Sequence, residues 1–277
     1  MNRVIKFTSV LFDMDGVLRI HDSVIPQAKT IFTKMCDMGI NYGIFTNECR
    51  YTHDTIKKEL GSMGIENIGK APICTPNDVI ASFFKKRLEN TNKTIQVGIF
   101  GEHGLKHTMN TIHNSQYNIK ETPILQDELS TEYYTIVGAM NQCTDTEIKR
   151  AKTWFSLPNC KIIITCNDMA TMGEVLYLPR DFLTKCNVSM DKPYCFGKPN
   201  PLYFQYAIQH ILNNEVDKEK ILFVGDSMDT DIRGSFENNI TNCLVLTGNT
   251  KNSETIKQSV IQPNYIIQTL DQLPFLL

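Results

Sequence analysis

The chain has 277 residues, of which 42% are hydrophobic and 21% are charged, values typical of a globular protein with one large or two modest domains. The formal net charge of −2 provides no overall field that would favour nucleic acid or an acidic membrane surface. The nine cysteines contain no C-x-x-C pair, which argues against a disulfide framework or a structural zinc site. We find no signal-peptide pattern and no long apolar run, so we expect a cytoplasmic protein without membrane or nucleic-acid partners.

The first part of the chain predicts alternating strands and helices. Pro26 suits a first helical turn and Gly39 suits a helix end, while Thr75 can cap a helix that follows it. The predicted elements are a strand at Val4–Phe12, a helix at Pro26–Met38, a strand at Ile40–Phe45, a helix at Tyr51–Met63 and a helix after Thr75.

A second alternating block begins near Ile95, and the first pattern resumes from Lys198. The second block predicts strands at Ile95–Phe100, Tyr133–Met140 and Cys160–Thr165, with helices from His103 and from Asp145. The last part predicts a helix at Pro201–Leu212, a strand at Ile221–Gly225, a helix after Asp229, and strands at Asn242–Leu246 and Asn264–Gln268. Thr144 and Glu147 form a plausible capping box, and Met169–Pro193 is irregular enough to predict loops. Strands separated by helices indicate an α/β fold with a mostly parallel sheet.

Polar motifs follow several of the predicted strands. They are Asp13-Met14-Asp15-Gly16, Thr46-Asn47, Gly197-Lys198-Pro199 and Asp226-Ser227-Met228-Asp229-Thr230-Asp231. Taken singly, each is more often a turn, a helix cap or a solvated loop. Because ligands in open α/β sheets bind beyond the carboxyl ends of strands, four such motifs in order favour one shared site.

In this order, D-M-D-G-V, T-N, G-K-P and G-D-S-M-D-T-D resemble the motifs of haloacid dehalogenase-like (HAD) phosphatases. Further segments, among them Val97–Met109 and Val137–Ala151, look like the subgroup that contains p-nitrophenyl phosphatase, phosphoglycolate phosphatase, pyridoxal phosphate phosphatase and NagD. The resemblance implies a Rossmann-like core with a mostly parallel sheet, formed by residues 1–92 and 191–277. It also implies an inserted α/β cap domain formed by residues 93–190.

The resemblance also implies roles for the carboxylates. Asp13 is expected to attack phosphorus, and Asp15 to act as general acid and then as general base. Asp13, the carbonyl of Asp15 and Asp226 are expected to hold Mg²⁺, a hard ion that prefers oxygen ligands. Asp231 is expected to orient Lys198 or a metal-bound water.

The remaining expected contacts are made to the phosphate and the substrate. The resemblance assigns Lys198, the Thr46 hydroxyl and the Asn47 backbone N–H to the phosphate, beside a tight turn at Gly16. It assigns substrate recognition to a loop of the cap. The cap candidates are Asn167, Asp168 and Thr171, although Asn167 and Asp168 are equally consistent with a simple turn.

Two departures from the subgroup stand out. Glu48 occupies a position that is often asparagine, so its charge could repel phosphate, pair with Arg50 or recognise a cationic substrate group. The P-G-x-G sequence usual near the end of the cap is replaced by Leu178–Phe182, which leaves the geometry of the cap loop open.

The sequence therefore predicts a cytoplasmic Mg²⁺-dependent phosphatase of small phosphorylated metabolites that forms an aspartyl-phosphate. Phosphoglycolate, pyridoxal phosphate, sugar phosphates and nucleotide monophosphates all stay open as substrates. A phosphotransferase with the same intermediate and a phosphometabolite-binding protein with a relict site are the alternatives. Relatives often dimerise through the cap, so a homodimer is a further expectation.

Overall fold

The computed structural model describes residues 7–127, 129–168, 176–212, 217–251 and 253–277. The strands are β1 (Ser9–Phe12), β2 (Arg19–Ile20), β3 (Ser23–Val24), β4 (Asn41–Phe45), β5 (Ile73–Cys74), β6 (Thr94–Phe100), β7 (Tyr117–Ile119), β8 (Thr131–Val137), β9 (Lys161–Ile164), β10 (Tyr194–Cys195), β11 (Ile221–Gly225), β12 (Thr241–Val245) and β13 (Tyr265–Ile267). The helices are α1 (Ile31–Asp37), α2 (His53–Ser62), α3 (Pro76–Glu89), α4 (His103–Asn110), α5 (Asp145–Phe155), α6 (Pro179–Lys185), α7 (Pro201–Ile211), α8 (Arg233–Glu237) and α9 (Ser253–Gln258). Within the described ranges, no helix combines the length and the apolar character that crossing a bilayer requires.

The first of two compact units comprises Met1–Thr46, His53–Cys74 and Lys198–Leu277. Its six strands are all parallel and lie in the order β13-β12-β11-β1-β4-β5. This is the order of a doubly wound sheet, in which the direction of winding reverses between β1 and β11. The carboxyl ends of these two strands are therefore the place where the fold leaves room for a ligand.

Aromatic side chains fill the centre of the first unit. Phe12 packs edge-on against Phe32, with ring centroids 5.5 Å apart. Phe45 likewise packs against Phe204 and Phe223, with ring centroids 4.8 and 5.7 Å away. All five rings are fully buried. Burial of large rings in edge-to-face contact stabilises the sheet and holds the ends of β1, β4 and β11 in place.

The second unit comprises Asn47–Thr52 and Thr75–Gly197. Its sheet is also wholly parallel, in the order β10-β9-β8-β6-β7. Trp154 is central to its core, and Gly98 is needed beside it because a Cβ there would lie 2.6 Å from the indole ring. The predicted capping box at the start of α5 is confirmed, since Thr144 and Glu147 exchange both of its hydrogen bonds. Both units confirm the predicted α/β fold with parallel sheets.

The structure differs from the sequence prediction in several elements. Residues 179–185 form α6, so the prediction of loops for Met169–Pro193 was wrong for this part, while residues 169–175 lie outside the described residues. The three-residue strand β7 was not predicted. The predicted domain boundaries lie at 92/93 and 190/191, whereas contacts divide the chain at 46/47, 52/53, 74/75 and 197/198. One reason is that Phe84 of α3 packs against Tyr134 of β8, with ring centroids 5.1 Å apart, which ties α3 to the second unit.

Candidate active site

Asp13 and Asp226 directly follow the two strands at which the sheet reverses its winding. The register of the sheet places Phe12 opposite Val224, and the Asp13 backbone N–H donates to the Val224 carbonyl at 2.8 Å. The loops that leave β1 and β11 therefore start side by side. Both carboxylates are buried, with 8% of Asp13 and none of Asp226 exposed.

Lys198 lies between two of the carboxylates. Its Nζ is 2.8 Å from Asp13 Oδ1 and 2.7 Å from Asp231 Oδ1, and only 2% of the residue is exposed. Burial alone would lower the pKa of Lys198, but the charges of Asp13 and Asp231 outweigh it and raise the pKa above its usual value. The ammonium is thus held in its charged form beside Asp13.

Asp231 is held by the turn that follows β11. Its Oδ2 accepts from the backbone N–H groups of Asp226 and Ser227, both at 3.0 Å, while Oδ1 accepts from Lys198. Gly225 is needed there because a Cβ would overlap the Asp231 carboxyl group. With both oxygens accepting hydrogen bonds, the geometry is suited to orienting Lys198.

Three carboxylates lie close together, and two of them contact the Lys198 ammonium. Asp13, Asp226 and Asp231 each offer an oxygen, and these oxygens lie within 4.8 Å of one another. Burial and then repulsion from Asp231 raise the pKa of Asp13 well above its usual value and that of Asp226 to about 7, although Lys198 opposes both shifts. Among the residues that the structure describes, Asp226 Oδ1 is one of five buried side-chain polar atoms without a hydrogen-bond partner. A cluster of carboxylate oxygens, one of which has no hydrogen-bond donor, fits a divalent cation such as Mg²⁺, which prefers oxygen ligands.

A loop after β12, Thr247–Thr250, holds Asp226 from the other side. The N–H of Asn249 donates to Asp226 Oδ2 at 2.5 Å, and the N–H of Thr250 donates to the Asp226 carbonyl at 3.0 Å. A Cβ on Gly16 or on Gly248 would overlap Asp226 Oδ2. Gly16 also has φ of +81°, a backbone conformation that glycine adopts readily. No role for this loop was predicted from the sequence, in which the Thr247-Gly248 pair after a strand was the available signal.

Asp15 is paired with an arginine that the sequence analysis also missed. Arg19 Nε donates to Asp15 Oδ1 at 2.8 Å, and Arg19 Nη1 donates to Glu59 Oε2 at 3.1 Å. The only signal for this pair in the sequence was the four-residue spacing of the two opposite charges, although no helix connects Asp15 to Arg19. The side chain of Asp15 is 41% exposed and that of Arg19 only 5%.

The motif after β4 is divided between the two units. Thr46 belongs to the first unit, where its carbonyl accepts from the Tyr203 hydroxyl at 2.5 Å. Asn47 belongs to the second unit, where its side-chain amide donates to the two carboxylate oxygens of Asp168 at 3.0 and 3.3 Å. Glu48 pairs with Arg50, with Oε2 2.6 Å from Nη2. Of the three alternatives for Glu48, the structure therefore supports pairing with Arg50.

The predicted substrate loop is described only in part. Asp168 is half-buried and bonded to Asn47, whereas Asn167 is exposed. Thr171 lies outside the described residues. The structure therefore brings Asp13, Lys198, Asp226 and Asp231 into direct proximity in the first unit, and it places Asn167 and Asp168 in the second.

Comparisons with known proteins point to one family of hydrolases. Residues 10–114 match a family model described as haloacid dehalogenase-like hydrolase, and residues 195–273 match one described as HAD-hydrolase-like. Dihydroxyacetone phosphatase of Corynebacterium glutamicum is 24% identical over 274 residues, covering 96% of this chain and 90% of that protein. 4-Nitrophenylphosphatase of Schizosaccharomyces pombe is 23% identical, covering 97% of this chain and 93% of that protein. The crystal structure of 4-nitrophenylphosphatase from Thermotoga maritima shares the fold, with a TM-score of 0.78 at 21% identity over 97% of this chain and 96% of that one.

Proposed function

The chain belongs to the haloacid dehalogenase-like hydrolases, and we propose that it is a Mg²⁺-dependent phosphatase that hydrolyses small phosphate monoesters through an aspartyl-phosphate. The observation that carries the proposal is the buried row of Asp13, Lys198 and Asp231 beside Asp226. Phosphoryl transfer needs an oriented nucleophile and fixed positive charge more than it needs other covalent chemistry. This group of side chains supplies both.

In the proposed first step, an Asp13 oxygen attacks phosphorus while the bond to the leaving oxygen breaks. Asp15 gives its proton to that oxygen, so the product leaves as an alcohol. In the second step, Asp15 takes a proton from a water whose oxygen attacks phosphorus, and the bond to Asp13 breaks. Inorganic phosphate is released and both carboxyl groups return to their starting forms.

Positive charge has to offset the meeting of an anionic nucleophile with an anionic phosphate. Lys198 supplies one such charge at 2.8 Å from Asp13. We propose that the carboxylates of Asp13 and Asp226 and the carbonyl of Asp15 hold Mg²⁺, and the unpartnered Oδ1 of Asp226 supports this assignment. When bound, Mg²⁺ would neutralise charge that Lys198 alone leaves uncompensated.

Recognition of the phosphate and of the rest of the substrate is proposed from the family pattern. The Thr46 hydroxyl and the Asn47 backbone N–H would bind phosphoryl oxygens beside the turn at Gly16. The second unit would act as the cap, with Asn167, Asp168 and Thr171 as candidates for substrate recognition. The names of the two relatives refer to dihydroxyacetone and to 4-nitrophenyl phosphate, which supports small phosphorylated metabolites as the substrate class.

Hydrolysis of p-nitrophenyl phosphate by the purified protein, with and without Mg²⁺, tests the proposal. We expect turnover that exhaustive chelation abolishes and Mg²⁺ restores. Asp13→Asn should lower kcat by at least about 10³-fold, because it removes the nucleophile while keeping the shape of the side chain. Hydrolysis by this variant at the wild-type rate would contradict the assignment. Transfer of phosphate to an added alcohol in place of release as inorganic phosphate would identify a phosphotransferase.

We also propose a cytoplasmic location and a homodimer. All nine cysteines lie in described residues and are free thiols, which supports a reducing compartment. The homodimer is proposed by analogy with relatives, and light scattering on the purified protein would test it.

A further inference from the structure

The Asp15 carboxylate lies against a buried cation, although its own side chain is 41% exposed. The guanidinium of Arg19 is 2.8 Å from Asp15 at Nε and 3.1 Å from Glu59 at Nη1. An exposed aspartate on a turn ordinarily samples several side-chain conformations. A charge-assisted hydrogen bond to a buried guanidinium favours one of them.

Arg19 is itself held from three directions. Its carbonyl accepts from the Gly16 N–H at 2.7 Å, and its own N–H donates to the Met14 carbonyl at 3.2 Å. Arg19 opens β2, which pairs with β3 in a short antiparallel hairpin. Glu59 holds the far end of the side chain from α2. The cation is thus part of a hydrogen-bonded frame around the turn that carries Asp15.

We propose that Arg19 is a positioning residue for Asp15, which it holds in the conformation that passes a proton to the leaving oxygen. The inference rests on the proposed function, in which Asp15 acts as the general acid. As the bond from phosphorus to the leaving oxygen breaks, the proton moves from the Asp15 carboxyl to that oxygen and the phosphoryl group moves to Asp13. A carboxyl held in place for this transfer needs less rearrangement than a mobile one.

Two esters of similar shape separate this role from a merely structural one. p-Nitrophenolate is a weakly basic leaving group that departs with little help from an acid, whereas the leaving oxygen of phenyl phosphate is more basic and needs the proton more. Damage to the fold lowers hydrolysis of both esters equally, but misplacement of the acid penalises phenyl phosphate selectively. The readout is kcat/KM, which covers the steps up to departure of the leaving group.

The test compares Arg19→Met, Arg19→Lys and Glu59→Gln with the wild type. Arg19→Met should lower kcat/KM for phenyl phosphate about tenfold and that for p-nitrophenyl phosphate less than about threefold, since general acids contribute roughly 10²–10⁴-fold when fully in place. Arg19→Lys keeps the charge and should recover part of the loss. Glu59→Gln removes the negative charge that holds Arg19 Nη1 and should show the same selectivity, to a smaller extent, even if Arg19→Met does not fold.

Arg233→Met is the matched control, because Arg233 pairs with Glu237 four residues away but is 56% exposed on α8. It should leave both values unchanged. Equal losses for the two esters in the Arg19 and Glu59 variants, or no loss in any of them, would overturn the positioning role. Absence of hydrolysis of both esters by the wild type would instead overturn the proposed function, and this inference with it.

Discussion

At the residue scale, Glu48 carries a negative charge two positions after Thr46, and Arg50 neutralises it. Arg50 donates to the carboxylate from Nε and Nη2 and from its own backbone N–H, the last at 2.7 Å. Its Nη1 donates to Asn141 Oδ1 at 3.2 Å. Both charged side chains are almost fully buried, at 4% and 7% exposed. The pair therefore leaves little net charge at this position.

Removal of one partner should be worse than removal of both. Arg50→Met leaves a buried carboxylate without its cation, which costs about 3–5 kcal/mol. We expect a marked fall in the melting temperature for this variant and recovery of most of it in the double variant Glu48→Gln/Arg50→Met. Thermal unfolding of the single and double variants measures this. Additive effects of the two changes would contradict the coupling, and Arg233→Met serves as the exposed control.

The sequence already suggested the Glu48–Arg50 pair as one of three alternatives, but it could not choose among them. The direction of two side chains in a loop depends on backbone angles that no periodic pattern specifies. Asp13, Lys198 and Asp226 were easier to place, because each follows a strand or precedes a helix whose position the pattern predicts. Arg19 was missed because its contact with Asp15 depends on the hairpin of β2 and β3, whose two-residue strands are too short to show alternation.

At the element scale, the loop Thr247–Thr250 depends on a glycine. Gly248→Ala would place a Cβ against Asp226 Oδ2, so the carboxylate or the loop must move. We expect stabilisation by Mg²⁺ to require at least about tenfold more metal, since a shift of one ligand by a fraction of an ångström disturbs octahedral geometry. Melting temperatures across a Mg²⁺ titration measure this effect without relying on catalysis.

Gly69→Ala provides the matched control for this prediction. A Cβ on Gly69 meets nothing within 4 Å, so this variant should bind Mg²⁺ like the wild type. If the Gly248 and Gly69 variants reached half of the Mg²⁺-induced rise in melting temperature at the same Mg²⁺ concentration, the role of the loop in positioning Asp226 would be contradicted.

The elements that the sequence missed are short. Helix α6 has seven residues, and its Phe182 and Leu183 are buried in the core of the second unit. A helix of two turns shows too few periods to be recognised, and tertiary packing supplies most of its stability. The strand β7 has three residues and lies at the edge of its sheet. The long elements were predicted correctly because burial of one face imposes a period on their sequence.

At the scale of the whole molecule, the crowded carboxylates should make metal-free stability depend on pH. Burial and Asp231 raise the pKa of Asp226 to about 7. At pH values between the ordinary carboxyl pKa and about 7, this group is therefore protonated in the folded state and ionised in the unfolded state. Stability then decreases as pH rises from the ordinary carboxyl range through about 7. Between pH 6 and pH 8 this one group contributes a loss of about 1 kcal/mol.

Unfolding by urea in the presence of a chelator, at pH 6 and at pH 8, tests this dependence. The loss of unfolding free energy between pH 6 and pH 8 should be larger for the wild type than for Asp226→Asn, since the variant lacks this titrating group. Mg²⁺ should stabilise the wild type more at pH 8, where its ligands are ionised. Identical pH dependence in the two proteins would contradict the raised pKa.

The Tyr203 hydroxyl lies within hydrogen-bonding distance of the carbonyls of both Thr46 and Cys74, the residues at which the chain leaves the first unit. The chain returns to that unit at His53 and at Lys198, and Lys198 lies five residues before Tyr203. The chain therefore leaves the first unit twice, and re-enters it once, near a single corner of the sheet. An insertion that leaves and returns near one place disturbs no strand pairing and adds little closure entropy. The second unit can therefore be exchanged in evolution while the first unit still holds the carboxylate cluster in place.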